Sequence, residues 1–403
     1  MPSGHGQASS PDKGILLVVP WDQSFGGVNT VVRSLAQYLT EIGYQPTFLF
    51  PGNSVFPTTG VSQLGFPSVC MNLRPMAVRR RPLRSRCAFV LTLPLALWSL
   101  VRLVQKHGIR VVNVHYPDDN ALYFAALRRL TGVRLVTSVH GSDITGLTDD
   151  ATRRHSVAHL LRQSDVIVAP SKSFANFVRD VFPTSDRNLL AIWNGIDVQR
   201  FASMAAHSDD ANMNEALRGI TDDRPYIICV AAFNEKKAHD TLLRAFVNVI
   251  GNHRLILVGD GILRPDIERL ARDLGISDRV VIAGEQPPSS VARLLAGAAC
   301  SVMPSRSEPF GIAAVESMVV GTPVVTSGVG GLGEIITNER TGLHFPVDDA
   351  NALAEALNRI LKDQALRARL ANAGQAHARA NFDWRSMAAR YVELAYALPT
   401  SQA

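Results

Sequence analysis

The sequence predicts an α/β protein made of two parallel-sheet domains, and three observations carry that expectation. The chain has 403 residues, more than one ordinary hydrophobic core organises. Short continuous apolar runs alternate along it with segments of helical periodicity, the mark of βαβ units. A polar, acid-rich interval, ASMAAHSDDANMNEALRGITDDR at 202–224, separates two such series.

Residues 1–13 are polar and Ser/Gly-rich and read as a flexible tail, lacking the apolar stretch of a secretory signal. GILLVVP (14–20) is apolar throughout, as a strand buried on both faces must be. The loop WDQSFGG then leads, through Gly26 and Gly27, into a helix marked by Val28, Val31, Val32, Leu35 and Leu39 and stopped by Gly43. PTFLF (46–50), IRVVNVHY (109–116), RLVTSVHG (134–141) and DVIVAPS (165–171) are the next strands of a first domain spanning 14–200. Residues 201–224 read as an interdomain connection. YIICVAAF (226–233), RLILVGDG (254–261), RVVIAGE (279–285), CSVMPS (300–305) and TPVVTS (322–327) form the sheet of a second domain, 225–384. Residues 385–403 read as a C-terminal helix crossing back to the first domain, followed by a tail. The halves share architecture but not sequence. Both domains are Rossmann-like, and since such sheets hold ligands beyond the carboxyl ends of their strands, the two are expected to face a central cleft.

Composition narrows the classes. With 46% hydrophobic and 19% charged residues the chain is globular, not disordered. Its four cysteines, Cys70, Cys87, Cys229 and Cys300, are scattered without a CxxC pair, which points to a reducing cytoplasmic setting without disulfides or a zinc site. Charge is uneven: residues 1–200 carry 21 Lys and Arg against 12 Asp and Glu, whereas 201–403 carry 20 against 23. From Ile42 to Pro117 there are nine basic residues and no acidic one, a field suited to an anionic partner.

The chemistry concentrates in SEPFGIAAVE, Ser307–Glu316. Glu308 falls in the loop at the carboxyl end of a strand, and Phe310 and Gly311 open a helix whose free amides suit an anion such as pyrophosphate. Glu316 lies one to two turns into that helix among Ile312, Ala313, Ala314, Val315, Met318 and Val319. A carboxylate there accepts both hydrogens of a vicinal diol, the way acidic residues hold ribose. Spacing alone favours two surface glutamates with no ligand; the apolar neighbours of Glu316 speak against an unpartnered surface position. His140 and Asp143, in SVHGSD, also follow a strand. A lone histidine is commonly structural.

These residues resemble a known family. SEPFGIAAVE is similar to the E-x7-E signature of the family 4 glycosyltransferases of GT-B fold, which retain anomeric configuration. The likeness runs through PSRSEPFGIAAVESMVVGTPVVTSGVGGLGEII (304–336) and TGLHFP (341–346), and WNGID (193–197) is similar to the family's turn before the second domain. The resemblance implies a donor site in the second domain and an acceptor site in the first. Glu308 would meet the donor sugar's hydroxyls, near the amides of Phe310, Gly311 and Ile312, and Glu316 the ribose. Gly26 and Gly27 would form the glycine loop near the donor phosphate and acceptor, although a Gly-Gly pair also makes a plain tight turn. His140 would sit against the donor sugar, with Asp143 orienting it or binding acceptor. Lys237, in VAAFNEKKAHD (230–240), would bind the diphosphate.

One departure stands out. The family usually carries Gly-Arg before that lysine and Gly after it, where this chain has Ala231, Ala232 and Ala238. One diphosphate-binding cation is therefore missing, with Lys236 the nearest substitute. A second unusual region runs from Arg74 through Arg79, Arg80, Arg81, Arg84 and Arg86 into the apolar run 87–104, which Pro94, Ser99 and Arg102 keep short of an uninterrupted membrane span of about 20 residues. It reads either as a core helix behind a basic loop or as a patch on anionic lipid, Arg74–Val104.

The expected function is glycosyl transfer with retention from a nucleotide diphosphate sugar to a glycan or lipid-linked acceptor in bacterial cell-surface polysaccharide or glycolipid synthesis. The enzyme is placed in the cytoplasm, peripherally on the inner face of the membrane, with His140, Lys237 and Glu308 as catalytic residues. No cofactor is expected, and no metal, since no DxD-type motif is present. The alternatives are a non-catalytic nucleotide-sugar-binding protein, suggested by Ala232, and a glycosidase using two carboxylates. The basic zone carries no nucleic-acid-binding motif, so no nucleic-acid partner is expected.

Overall fold

The computed structural model describes residues 13–22, 27–73, 82–118, 120–147, 151–182, 188–206, 211–222 and 224–397. Gly26, Arg74, Arg79, Arg80, Arg81 and nearly all of the N-terminal tail lie outside them. The chain divides into two compact units.

The first unit comprises residues up to Ala169, Ala175–Ile192 and the chain from Ala388 onward. Its sheet has eight strands: β1 (Gly14–Val18), β2 (Gln45–Pro51), β3 (Thr58–Val61), β4 (Pro67–Met71), β5 (Ile109–His115), β6 (Arg134–Ser138), β7 (Val166–Ala169) and β8 (Leu189–Ala191). They lie in the order β3-β4-β2-β1-β5-β6-β7-β8. All pairings are parallel except β3 with β4, which form an antiparallel edge. Wholly parallel sheets were expected, and this edge departs from them. The segment 58–71 is rich in Gly, Pro and Ser and lacks the apolar runs by which the inner strands announce themselves. All five residues of β1 are buried.

The helix Pro82–Lys106 follows the edge hairpin and packs Phe89, Ala96, Leu100, Leu103 and Val104 into the core beside Leu16, Leu49 and Val112. The C-terminal segment closes this unit. Asn113 Nδ2 donates to the Tyr396 hydroxyl at 2.7 Å, Arg134 Nε to the Ala395 carbonyl at 2.6 Å, and the Tyr391 hydroxyl to Ser138 Oγ at 3.3 Å.

The second unit comprises Pro170–Phe174 and Trp193–Met387. Its six parallel strands are β9 (Tyr226–Val230), β10 (Arg254–Val258), β11 (Val280–Gly284), β12 (Cys300–Met303), β13 (Val324–Thr326) and β14 (Leu343–His344), ordered β11-β10-β9-β12-β13-β14. Alternate residues feed two cores, as strand geometry demands. Ile227, Cys229, Leu255 and Leu257 enter one, and Tyr226, Ile228, Ile256 and Val258 the other.

The expected connection at 201–224 is corrected here. Val198–Ala206 and Ala211–Thr221 are helices of the second unit. Val198 and Phe201 are buried in its core, with Ala202, Ala205, Leu217 and Ile220 packed on it. The many acidic and small residues hid this apolar stripe. The first unit accordingly gives way to the second after Ile192, not after residue 200.

Candidate active site

In the second unit strand order reverses beside β9, with β10 on one flank and β12 on the other. Such a switch point splays the loops leaving the two strands and opens a crevice at their carboxyl ends. The turn after β9 carries Lys237, the last residue of the 3₁₀ helix Glu235–Lys237, and the loop after β12 carries Glu308. Lys237 Nζ meets Glu308 Oε2 at 2.5 Å, with both side chains largely covered. The lysine expected to bind the diphosphate is thus paired with the carboxylate expected to meet the donor sugar's hydroxyls. Lys236 is exposed, and so is Ala232.

The Glu308 loop is held by close backbone approach. Gly331 N donates to the Glu308 carbonyl at 2.9 Å. Gly330 sits at φ +56°, and a Cβ there would overlap that same carbonyl oxygen. Phe310 contributes its backbone only, since its ring is buried edge-on to Phe382 at 6.0 Å. Gly311, at φ +115°, precedes the helix Ile312–Val319; a Cβ there would lie 2.7 Å from Leu332 Cδ2. Among the described residues the amides of Phe310, Gly311 and Ile312 donate to nothing, the normal state of a helix start and the condition for receiving an anion.

Glu316 lies one turn further on, half-buried, and its carboxyl makes no hydrogen bond or ion pair among the described residues. Loss of hydration pushes its carboxyl up to about 7. A carboxylate shielded from water without a partner is costly, which makes Glu316 a candidate for contact with a ligand.

In the first unit the comparable place is the carboxyl end of β1, flanked by β2 and β5. Gly27 opens the helix Gly27–Glu41 there and is exposed. A cavity of about 90 Å³ lies at the ends of β1, β2, β4 and β5, walled by Val18, Leu49, Met71 and Leu73 with His115 and Tyr116 beside them. His140, just past β6, faces His115 at the end of β5, with His115 Nδ1 and His140 Nε2 3.1 Å apart. Burial pushes His140 down to about 4 and His115 well below its usual value, so both rings are neutral at pH 7 and one donates the shared hydrogen.

Asp143 touches neither the His140 ring nor solvent. It is fully buried, and its carboxylate accepts from the backbone N–H of His140 and of Gly141 (2.5 Å). Burial raises it to about 6 despite these bonds. These bonds hold the backbone that carries His140.

Two residues were missed. His115 had a signal, a second strand ending in histidine, and Arg306 had another, a cation two positions before Glu308. Among the described residues no group of three or more His, Cys, Asp or Glu is arranged to hold a metal ion.

Each unit is a parallel α/β sheet with loops at the carboxyl ends of its strands, and the second adds a helix start with unused amides and an unpartnered carboxyl. The profile described as Glycosyltransferase Family 4 matches residues 25–200, and that described as Glycosyl transferases group 1 matches 213–377. An uncharacterized glycosyltransferase of Methanocaldococcus jannaschii is 30% identical over 71% of this chain and 76% of its own length. The N-acetyl-alpha-D-glucosaminyl L-malate synthase of Bacillus anthracis is 28% identical over 85% and 86%. Sucrose-phosphate synthase from Thermosynechococcus elongatus superposes with a TM-score of 0.75 at 25% identity, covering 95% of this chain and 98% of that one. The chain belongs to the family 4 glycosyltransferases, with the GT-B fold.

Proposed function

We propose that this glycosyltransferase takes its sugar from a nucleotide diphosphate sugar held on the second unit and passes it, with retention, to a glycan or lipid-linked acceptor held on the first. The observation that carries the donor half is the run from Glu308 to Glu316. Within one short segment it offers a carboxylate, three unused amides at a helix start, and an unpartnered carboxyl one turn later. Sugar hydroxyls, diphosphate and ribose diol are the ligand groups in that order. As the diphosphate departs, Lys237 shifts its hydrogen bonding from Glu308 toward phosphate oxygens, and Glu308 is released to the sugar hydroxyls. Charge is thereby supplied where it develops, with the amides fixed in advance. Retention follows the resemblance of the E-x7-E block, and NMR of the product's anomeric proton tests it.

A thermal-shift screen of UDP, GDP, ADP and their sugars tests the donor reading. One nucleotide series should raise the melting temperature, by an amount that grows with concentration. No shift in wild type, or an unchanged shift in Glu316→Ala, counts against it. Because Ala232 removes a cation, a binding protein without turnover is the second reading. Calorimetric binding with no transfer across a panel of glycan and lipid acceptors would favour it.

The proposed setting is the cytoplasmic face of the membrane, in cell-surface glycan or glycolipid synthesis. By length and composition Cys87–Lys106 would suffice to cross a membrane, yet one face of it is built into the first unit's core. The opposite face presents Leu91 (80% exposed), Leu95 and Trp98 (50% exposed), with the Arg102 guanidinium 4.5 Å from the Trp98 ring centre. An apolar stripe with cations beside it suits binding in the plane of an anionic surface. Co-sedimentation with phosphatidylglycerol vesicles should fall in Leu91→Asp and in raised salt. Equal binding to phosphatidylcholine, or none to either, speaks against this setting.

A further inference from the structure

We infer that Arg306 is the positioning residue of the donor site, fixing the Lys237 turn against the Glu308 loop. The inference rests on the donor reading above and assigns the residue that makes it work without the missing arginine. Arg306 follows β12 and lies two residues before Glu308. Its own N–H donates to the Lys236 carbonyl at 2.7 Å. Its guanidinium donates through Nη1 to the Glu235 carbonyl at 2.8 Å, through Nη2 to Asp240 at 2.7 Å, and through Nε to Asp348 at 2.7 Å. Thr241 Oγ1 donates to the same Asp348 oxygen at 3.0 Å. One side chain thus ties the 3₁₀ turn, the start of the helix His239–Phe246 and the loop holding Asp348 to the Glu308 loop.

The turn needs this support. Of the two carbonyls that Arg306 bonds, that of Glu235 otherwise accepts only a long 3.3 Å bond from the Ala238 N–H, and that of Lys236 is reached only from the Arg306 and Ser307 amides. Directly after Lys237, Ala238 adopts φ +49°, a left-handed conformation that costs an alanine and not a glycine. Ala238 is also fully covered, so the turn cannot relax outward. Nor does Arg306 act as a substitute cation for the diphosphate: Asp240 and Asp348 answer its charge, and each of its three nitrogens already donates to protein. It works through Lys237. The bland alternative is a half-exposed ion-pair cluster of the kind that contributes little when removed.

Calorimetric titration of wild type, Arg306→Ala, Arg306→Lys, Lys237→Ala and the double alanine variant with UDP, GDP and ADP separates the two. For whichever nucleotide binds, Arg306→Ala should weaken affinity about tenfold, the size of one lost charge-assisted hydrogen bond. Arg306→Lys should not rescue it, because an ammonium cannot span the same acceptors. In the Lys237→Ala background, removing Arg306 should change affinity by less than about twofold, as required when one residue acts through another. Additive losses, or wild-type affinity in Arg306→Ala, overturn the inference while leaving the donor site standing. Unchanged affinity in Lys237→Ala overturns the donor reading itself, and this inference with it. Should Arg306→Ala fold poorly, Asp348→Asn loosens the same clamp from outside the turn. It should weaken nucleotide binding in the same direction, and unaltered binding in that variant rejects the proposal.

Discussion

Replacing Glu316 by Gln should remove a pH dependence of donor binding that the wild-type chain carries. The carboxyl is raised to about 7 by burial, and only its ionised form accepts both hydrogens of a ribose diol. At pH 6 about one-tenth of the molecules are ionised there and at pH 8 about nine-tenths. Apparent affinity scales with the competent fraction, so a nucleotide sugar should bind about tenfold more tightly at pH 8 than at pH 6. Nucleotide sugars suit the assay because their phosphates do not titrate in this window. Stability runs the opposite way. A carboxyl whose folded value is raised contributes stability that is full below its unfolded value and is lost as pH rises through about 7. The loss is of the order of 3 kcal/mol, and it should be visible as a falling urea midpoint in wild type relative to Glu316→Gln. A flat wild-type affinity between pH 6 and 8, or the same slope in the Gln variant, refutes the reasoning.

Lys237→Ala should lower the rate of transfer about 100-fold or more, as loss of one preorganised charge-stabilising donor does, while the melting temperature moves little. Steady-state kinetics with scanning calorimetry checks both. Gly330→Ala should weaken nucleotide binding and lower the melting temperature, because the new methyl group meets the Glu308 carbonyl and the backbone is left-handed. His239 is buried with neither ring nitrogen bonded, and burial, aided by Lys237, pushes it down to about 4. A base lowered in this way contributes stability that is full above its unfolded value and is lost as pH falls toward 4. His239→Leu should therefore shrink the drop in urea stability between pH 7 and pH 4.5, by up to about 3 kcal/mol.

Much of the fold was legible because parallel strands buried on both faces leave continuous apolar runs, as β1 and β7 do throughout and β10 does after Arg254. The edge strands β3 and β4 were not, since an edge needs no such run. The helices Val198–Ala206 and Ala211–Thr221 were hidden by the acidic residues that flank them, Asp209, Asp210, Asp222 and Asp223, and by the small and polar residues that dilute their apolar stripe. At the candidate site, the strand, loop and helix order around Glu308 could be read from Gly311 and the apolar run after it. Pairing across segments could not. That Lys237 would be held by Glu308, or that Arg306 would bond the turn behind it, depends on which two loops flank a switch point, and no local pattern records this. Asp143 shows the same limit: a carboxylate close to a histidine in sequence looks like a partner of its ring, whereas here it accepts from the backbone amides of His140 and Gly141.

The return of the C-terminal segment to the first unit has a consequence for biosynthesis. Asn113 and its partner Tyr396 are 283 residues apart. At ribosomal speeds of about 5–20 residues per second, that bond cannot form until roughly 15–60 s after Asn113 has been made. The nascent first unit therefore stands through translation of the entire second one with Asn113, Arg134 and Ser138 lacking their final partners. A stop codon placed before Ala395 would damage the half of the protein that was synthesised first.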